Sequence, residues 1–152
     1  MKEQTKKKIL LIILCTLTLL VLYVAIRLNS NKKHSLLLNS DIKGYLSEIK
    51  YEEIESHVKE RPNVIIYVSN SSQNKSIKFE RMFKDIIKKY NLENEVIYIN
   101  INETTIIDPI YQNAPELVFY KDGTISDIID CSTLKSKKSI INELKERSVI
   151  DD

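Results

Sequence analysis

One uncharged apolar run near the N-terminus constrains this chain more than any other feature. Residues 9–26 read ILLIILCTLTLLVLYVAI, without a charged residue, a glycine or a proline. As a helix, these 18 residues extend about 27 Å, roughly the hydrocarbon thickness of a bilayer. Lys8 and Arg27 flank the run, and their long side chains can reach the membrane interface. We therefore predict a transmembrane helix over residues 9–27, preceded by a basic tail over residues 1–8.

A cleaved export signal is the alternative interpretation of the same run. A secretory signal peptide ends in two small residues separated by one position, but Tyr23 stands two positions before Ala25. A lipoprotein signal requires a small residue before its cysteine, whereas Leu14 precedes Cys15. An uncleaved anchor is therefore favoured, and Cys15 is interpreted as an apolar filler of the helix.

The charges of the chain are unevenly distributed. The first eight residues sum to +3, and Arg27, Lys32 and Lys33 add +3, so residues 34–152 carry −4 of the total of +2. A mildly acidic globular part argues against a nucleic-acid binder, which needs cations facing phosphates. The basic tail favours a cytoplasmic N-terminus and an extracytoplasmic C-terminal domain, although the basic residues after the run weaken that contrast.

A polar stalk over residues 28–43 leads into a domain over residues 44–152. Hydrophobic periodicity and turn signals there predict five strands and three helices. The strands are predicted over residues 45–49, 64–68, 96–101, 116–120 and 124–129, and the helices over 51–59, 75–90 and 134–147. Alternating strands and helices imply parallel pairing in the first half, and a closing hairpin adds antiparallel strands. The fold class is therefore α/β.

Local signals support individual elements of this prediction. Residues 64–68 (VIIYV) form an uninterrupted apolar run, typical of a strand buried on both faces. Asn91 is placed to end the second helix in the left-handed conformation. Asp122-Gly123 indicates a tight hairpin turn, and Ser132 or Thr133 is expected to cap the last helix. The second helix has an apolar stripe of Phe79, Met82, Phe83, Ile86, Ile87 and Tyr90.

Two stretches carry a resemblance to a known family. Residues 114–123 (APELVFYKDG) look like the segment where thioredoxins place a cis-proline before a strand. Residues 64–68, followed by a polar loop and Phe79-Glu80, look like their central strand and active-site helix. From about residue 45 to 148 the chain thus resembles the thioredoxin superfamily, and within it membrane-tethered bacterial proteins related to bacteriocin-transport accessory proteins.

The resemblance implies a thioredoxin-like domain with a degenerate active site. A Cys-x-x-Cys pair starts the active-site helix in the family, and here those positions fall on Gln73 and Ser76. Neither side chain forms a disulfide, so the usual thiol-disulfide exchange is excluded for this loop. The family's site corresponds to Ser72, Gln73, Asn74, Lys75 and Ser76. The resemblance also implies a cis-proline at Pro115 and a groove beside Ala114, Pro115 and Glu116.

Cys131 is the one thiol in the domain. Cys15 lies in the apolar run, so no internal disulfide is expected. Cys131 follows the last strand, and we expect it to lie away from the active-site loop as an incidental thiol. No cluster has metal-ligand spacing around His34 or His57, and no glycine-rich phosphate loop exists. No cofactor or metal is therefore expected.

These features favour a non-catalytic, membrane-anchored binding or accessory module over an enzyme. Its expected partners are the lipid bilayer and a protein or peptide at the membrane surface, which pairs with the groove by strand addition. A thiol-disulfide redox protein using Cys131 is the alternative. A third interpretation makes the anchor the working part and the domain a spacer.

Overall fold

The structure, a computed structural model, describes residues 14–23, 40–104 and 107–151. The chain divides into two units, residues 1–36 and 37–152. In the first unit residues 14–23 are helical with exposed side chains. The rest of the predicted anchor over 9–27, and the basic tail, lie outside the described residues. Across the described stretches, none of the helices has both the length and the apolar character that a membrane crossing requires.

The second unit is built around a five-stranded mixed sheet. The strands are β1 (Ser47–Glu48), β2 (Val64–Ser69), β3 (Val96–Asn100), β4 (Glu116–Lys121) and β5 (Thr124–Asp130), in the spatial order β1-β3-β2-β4-β5. β1, β3 and β2 are parallel, whereas β4 pairs antiparallel with β2 and β5 pairs antiparallel with β4. The predicted combination of parallel strands and a closing antiparallel hairpin is confirmed.

Helices cover both faces of this sheet because its central strands are apolar on both sides. They are α1 (Ile54–Glu60), α2 (Asn74–Tyr90) and α3 (Lys137–Glu146). Tyr67 of β2 packs among side chains of α2 and α3, whereas Ile66 and Val68 pack with the apolar residues of α1. This alternation explains why β2 has no polar face: successive side chains of a strand point to opposite sides.

The end of α2 and the turn between β4 and β5 lie where the sequence predicts them. Asn91 follows α2 with a φ of 53°, and its N–H donates to the carbonyl oxygen of Ile87. Asp122 and Gly123 both have positive φ between the paired residues Lys121 and Thr124, as a two-residue hairpin of the mirror-image turn type requires.

The last helix begins later than the sequence predicted. Residues Cys131–Thr133 form a 3-10 turn, whose first free N–H, on Ser132, donates to the Asp130 carboxylate. α3 starts at Lys137, because the Ser136 hydroxyl accepts from the backbone N–H of Ser139 and caps it there. The expectation that Ser132 or Thr133 caps a helix starting at residue 134 is therefore wrong.

Two 3-10 turns occupy the connection between β3 and β4. They span Ile101–Glu103 and Pro109–Tyr111, and the described residues of this connection contain no α-helix. Consequently α1 is the one described α-helix that packs on its face of the sheet.

The folded unit includes residues that the sequence analysis assigned to the stalk. Ile42 is completely buried and belongs to the cluster beneath α2. The Ser40 hydroxyl donates a hydrogen bond to the Glu80 carboxylate on α2 at 2.7 Å. The segment before β1 is therefore part of the packed structure.

We predict that Ile42→Ala lowers the free energy of unfolding by about 2–5 kcal/mol, because it leaves a cavity in the core. The neighbouring exposed Lys43→Ala is the matched control and should change it by less than about 0.5 kcal/mol. Urea denaturation of both variants measures the difference. Equal small effects would contradict the packing of this segment.

Candidate functional site

The polar loop between β2 and α2, residues 70–73, is held by hydrogen bonds to the end of β3 and the turn that follows it. The Asn100 side chain accepts from the backbone N–H of Ser71 at 3.3 Å and donates to the Ser71 hydroxyl at 3.0 Å. The Ser72 hydroxyl bonds to the side-chain oxygen of Asn102. These contacts tie the loop to the carboxyl end of β3 without any covalent link.

The two positions that resemble the cysteine pair lie immediately before α2 and in its first turn. Gln73 precedes the helix in an extended conformation, and its side chain caps none of the free N–H groups. Ser76 is completely buried, and its hydroxyl accepts from the backbone N–H of Asn70 at 3.3 Å. In the described part of the chain no base contacts that hydroxyl, so Ser76 supports the loop and is not arranged as a nucleophile.

The proline that the resemblance singled out precedes β4. The peptide bond between Ala114 and Pro115 is cis. Lys75 donates from its Nζ to the carbonyl oxygen of Asn113 at 3.2 Å, and Cys131 donates from its backbone N–H to the carbonyl oxygen of Pro115 at 2.9 Å. The structure therefore brings the start of α2, the proline segment and the turn after β5 together.

The proline segment itself is buried. Ala114 is closed to solvent, and Pro115 and Glu116 are also buried. An extended peptide cannot reach the backbone of Ala114 in this state, so the strand addition expected there is not available. The accessible surface lies beside it.

A groove of about 620 Å³ runs between the first half of α2 and the turn after β5. Its floor is apolar and its rim is basic. The lining residues are Asn74, Lys75, Lys78, Phe79, Arg81, Met82, Cys131, Ser132, Leu134 and Lys135. Four cations and no carboxylate therefore line it, and one of the cations, Arg81, is paired with Asp41 at 3.2 Å outside the lining.

Cys131 lies in the wall of this groove. The expectation that it stands away from the active-site loop is wrong, since Asn74 and Lys75 line the same groove. The thiol is 1% exposed, and burial raises the pKa of Cys131 well above its ordinary value. A thiol that stays protonated is a weak nucleophile.

Glu116 is a buried carboxylate with one oxygen, Oε2, that has no hydrogen-bond partner among the described residues. It pairs across the sheet with Asp130. Burial, more than the Asp130 charge, raises the pKa of Glu116.

Sequence reasoning missed the most connected polar side chain, Glu80. It lies on α2, completely buried, and accepts hydrogen bonds from four donors. These are the hydroxyls of Ser69 (2.5 Å), Ser40 (2.7 Å) and Tyr67 (3.3 Å), and the backbone N–H of Asp41 (3.1 Å). Glu80 follows Phe79 and stands three positions before Phe83. Its position beside the apolar stripe of α2 is the one sequence feature that could have indicated its burial.

Among the residues that the structure describes, no cation forms an ion pair with Glu80, and burial raises its pKa despite the four donors. Between the ordinary pKa of 4.5 and that raised value, the folded protein holds a proton that the unfolded chain has released. The stability contributed by Glu80 therefore falls as pH rises through this window. Within the described residues, no group of His, Cys, Asp or Glu is arranged to hold a metal ion.

Comparison with known proteins agrees with the fold. No protein-family model matches the chain, and no curated protein sequence matches it. Mitochondrial thioredoxin 3 of Saccharomyces cerevisiae, in its oxidized form, is similar with a TM-score of 0.53 and 14% identity, over 71% of this chain and 99% of that one. The germline-specific thioredoxin Deadhead of Drosophila melanogaster has a TM-score of 0.48 and 12% identity, over 66% and 96% of the two chains.

The domain therefore has a thioredoxin-like fold. The yeast protein supports that assignment, and an identity this low says nothing further about activity.

We predict that Glu80→Gln lowers the free energy of unfolding by about 1–3 kcal/mol, because an amide cannot accept from all four donors. It should also remove the decline in stability that the wild type shows above pH 4.5. Urea denaturation across pH measures both effects, with the exposed Glu95→Gln as a control of equal charge change. If the free energy of unfolding declines above pH 4.5 equally in the wild type and in Glu80→Gln, the assignment of this pH dependence to Glu80 is wrong.

We also predict slow alkylation of Cys131, measured in Cys15→Ser so that it is the sole thiol. The folded chain should react about 100-fold or more slowly than the same chain in urea, because reaction requires local opening. Equal rates in both conditions at one pH would show an exposed, reactive thiol.

Proposed function

We propose that this protein is a non-catalytic binding module, tethered to the membrane by residues 9–27, that captures an acidic polypeptide segment in the groove beside α2. The single observation that carries this proposal is the groove itself. It has an apolar floor, four cations on its rim and no carboxylate.

The chemistry of the groove selects its ligand. Phe79, Met82 and Leu134 offer apolar surface for side chains of an incoming segment. Lys78 is exposed and has no ion-pair partner within the described residues. An acidic segment with interspersed apolar side chains complements both properties, and complementary charge also speeds the encounter.

A lack of redox machinery supports a binding role over catalysis. The two positions that resemble the cysteine pair carry Gln73 and Ser76, and the remaining thiol of the domain is buried. The alternative, redox chemistry at Cys131, has one observation in its favour, which is that the thiol lines the groove. Its raised pKa argues against it.

The membrane tether is supported by the sequence. Eighteen uncharged residues match the thickness of a bilayer, and the basic residues before them favour a cytoplasmic tail. The domain then acts on the extracytoplasmic side of the envelope.

Selection from a library of random unstructured peptides tests the proposal, with the full-length chain held in a non-ionic detergent. We predict that enriched peptides are acidic, and that Lys78→Glu weakens their binding about tenfold or more through charge reversal. Lys138→Glu, an exposed lysine of α3 outside the groove, should leave the dissociation constant unchanged.

Enrichment of peptides without acidic residues, or equal effects of the two lysine reversals, would contradict the proposal. The Cys131→Ser variant distinguishes peptide binding from redox chemistry at Cys131. A binding module retains its peptide affinity in this variant, whereas a redox protein loses its activity.

A further inference from the structure

A second cavity lies on the opposite face of the sheet from the groove. It measures about 580 Å³ and opens between α1, the turn at Pro109–Tyr111 and the β4–β5 hairpin. Its lining combines three tyrosines, three carboxylates and one lysine. The residues are Tyr51, Glu52, Ile54, Glu55, Val58, Lys59, Asp108, Tyr111, Tyr120 and Gly123, and we call it the tyrosine cavity.

The fold leaves this cavity open for a topological reason. The described part of the connection between β3 and β4 forms 3-10 turns in place of an α-helix. Short turns cover less of the sheet than a helix does, so a gap remains beside α1.

Hydrogen bonds brace the walls of the cavity. The Tyr51 hydroxyl accepts from the backbone N–H of Asp108 at 2.7 Å, and the hydroxyls of Tyr111 and Tyr120 bond to each other. The backbone N–H of Gly123 donates to the carbonyl oxygen of Pro62 at 2.9 Å, which fastens the hairpin turn to the end of α1. The cavity is therefore formed before any ligand arrives, and its size suits one small group.

These bonds also determine what the tyrosines present to a ligand. Each hydroxyl has a hydrogen-bond partner within the protein, and the rings are the larger surfaces that the tyrosines present. The rings of Tyr51 and Tyr111 stand nearly perpendicular, at 84°, with centroids 5.7 Å apart. Such a corner can bind a cation, because the face of an aromatic ring is electron-rich.

None of the cations in the described stretches of the chain occupies these ring faces. In the described residues, the cations that stack on aromatic rings lie over Tyr45, Tyr90 and Phe119. Lys59 lines the cavity but forms an ion pair with Glu55 at 2.8 Å.

The charge of the lining is complementary to a cation. The lining contains three carboxylates, those of Glu52, Glu55 and Asp108, and one lysine. Glu52 has no ion-pair partner in the part of the chain that the structure describes. Ile54 and Val58 add apolar surface beside the rings.

We propose that the tyrosine cavity binds the side chain of a lysine presented by a partner polypeptide. The apolar lining and the rings pack against its four-carbon stem. Glu55 of α1 and Glu52 of the 3-10 turn before it (Tyr51–Glu53) lie on one side and Asp108 on the other, an arrangement that surrounds a compact ammonium with its three donors. This site is independent of the groove and of the function proposed for it.

A pair of short peptides provides the test, acetyl-Ala-Lys-Ala-amide and the same peptide with norleucine, which has the stem and lacks the ammonium. They are titrated into the isotopically labelled full-length chain in a non-ionic detergent. We expect saturable shifts of the amide resonances of Tyr51, Asp108 and Tyr111 with the lysine peptide alone. No saturable shift up to tens of millimolar, or equal binding of norleucine, would overturn the proposal.

Exposed charged residues provide variants that leave the fold intact. Glu52→Gln should weaken binding about threefold, whereas Lys59→Gln should tighten it about threefold by removing a competing cation. Glu60→Gln, an exposed carboxylate at the end of α1 and outside the cavity, should have no effect. Equal effects of the Glu52 and Glu60 variants would show a general charge effect and overturn the site.

Choline is the last probe, because aromatic cages can also take quaternary ammonium groups. We expect it to bind more weakly than the lysine peptide, since its quaternary ammonium has no N–H to donate to the carboxylates. Tighter binding of choline would overturn the assignment to lysine.

Discussion

The buried carboxylate of Glu80 is the interaction on which the arrangement of this domain depends. It lies on α2 and joins that helix to two other segments, because its donors come from the segment before β1 and from β2. A carboxylate removed from water is costly unless its oxygens accept hydrogen bonds. The four donors offset that cost only when all three segments are in place. The position of α2, and with it the groove, follows from this requirement.

Two surfaces of opposite charge result from one sheet with two faces. The groove beside α2 has four cations and no carboxylate, whereas the tyrosine cavity beside α1 has three carboxylates and one lysine. The small net charge of the chain conceals this segregation. The two surfaces have separate structural origins. The groove is formed by the start of the long helix α2, whereas the cavity lies where the described part of the β3–β4 connection forms 3-10 turns.

Much of the fold could be predicted because local signals determine its elements. The β-branched run at residues 64–68, the left-handed cap at Asn91 and the Asp122-Gly123 turn each act through backbone preferences of a few neighbouring residues. The order of strands and helices then restricts the sheet to few topologies. The last helix was placed too early because Ser132 and Ser136 are both acceptable caps, and sequence alone does not rank them.

The sequence by itself determined the apolar run at the N-terminus, the order of the elements and the presence of Gln73 in the loop before α2 and of Ser76 in its first turn, because each of these is a property of contiguous residues. Only the tertiary structure decided that Glu80 is buried, that Ile42 belongs to the core and that Cys131 lines the groove beside Lys75. It also decided that three tyrosines from separate segments meet in one cavity. Burial and proximity are set by contacts between residues far apart in the chain, and no local pattern encodes those contacts.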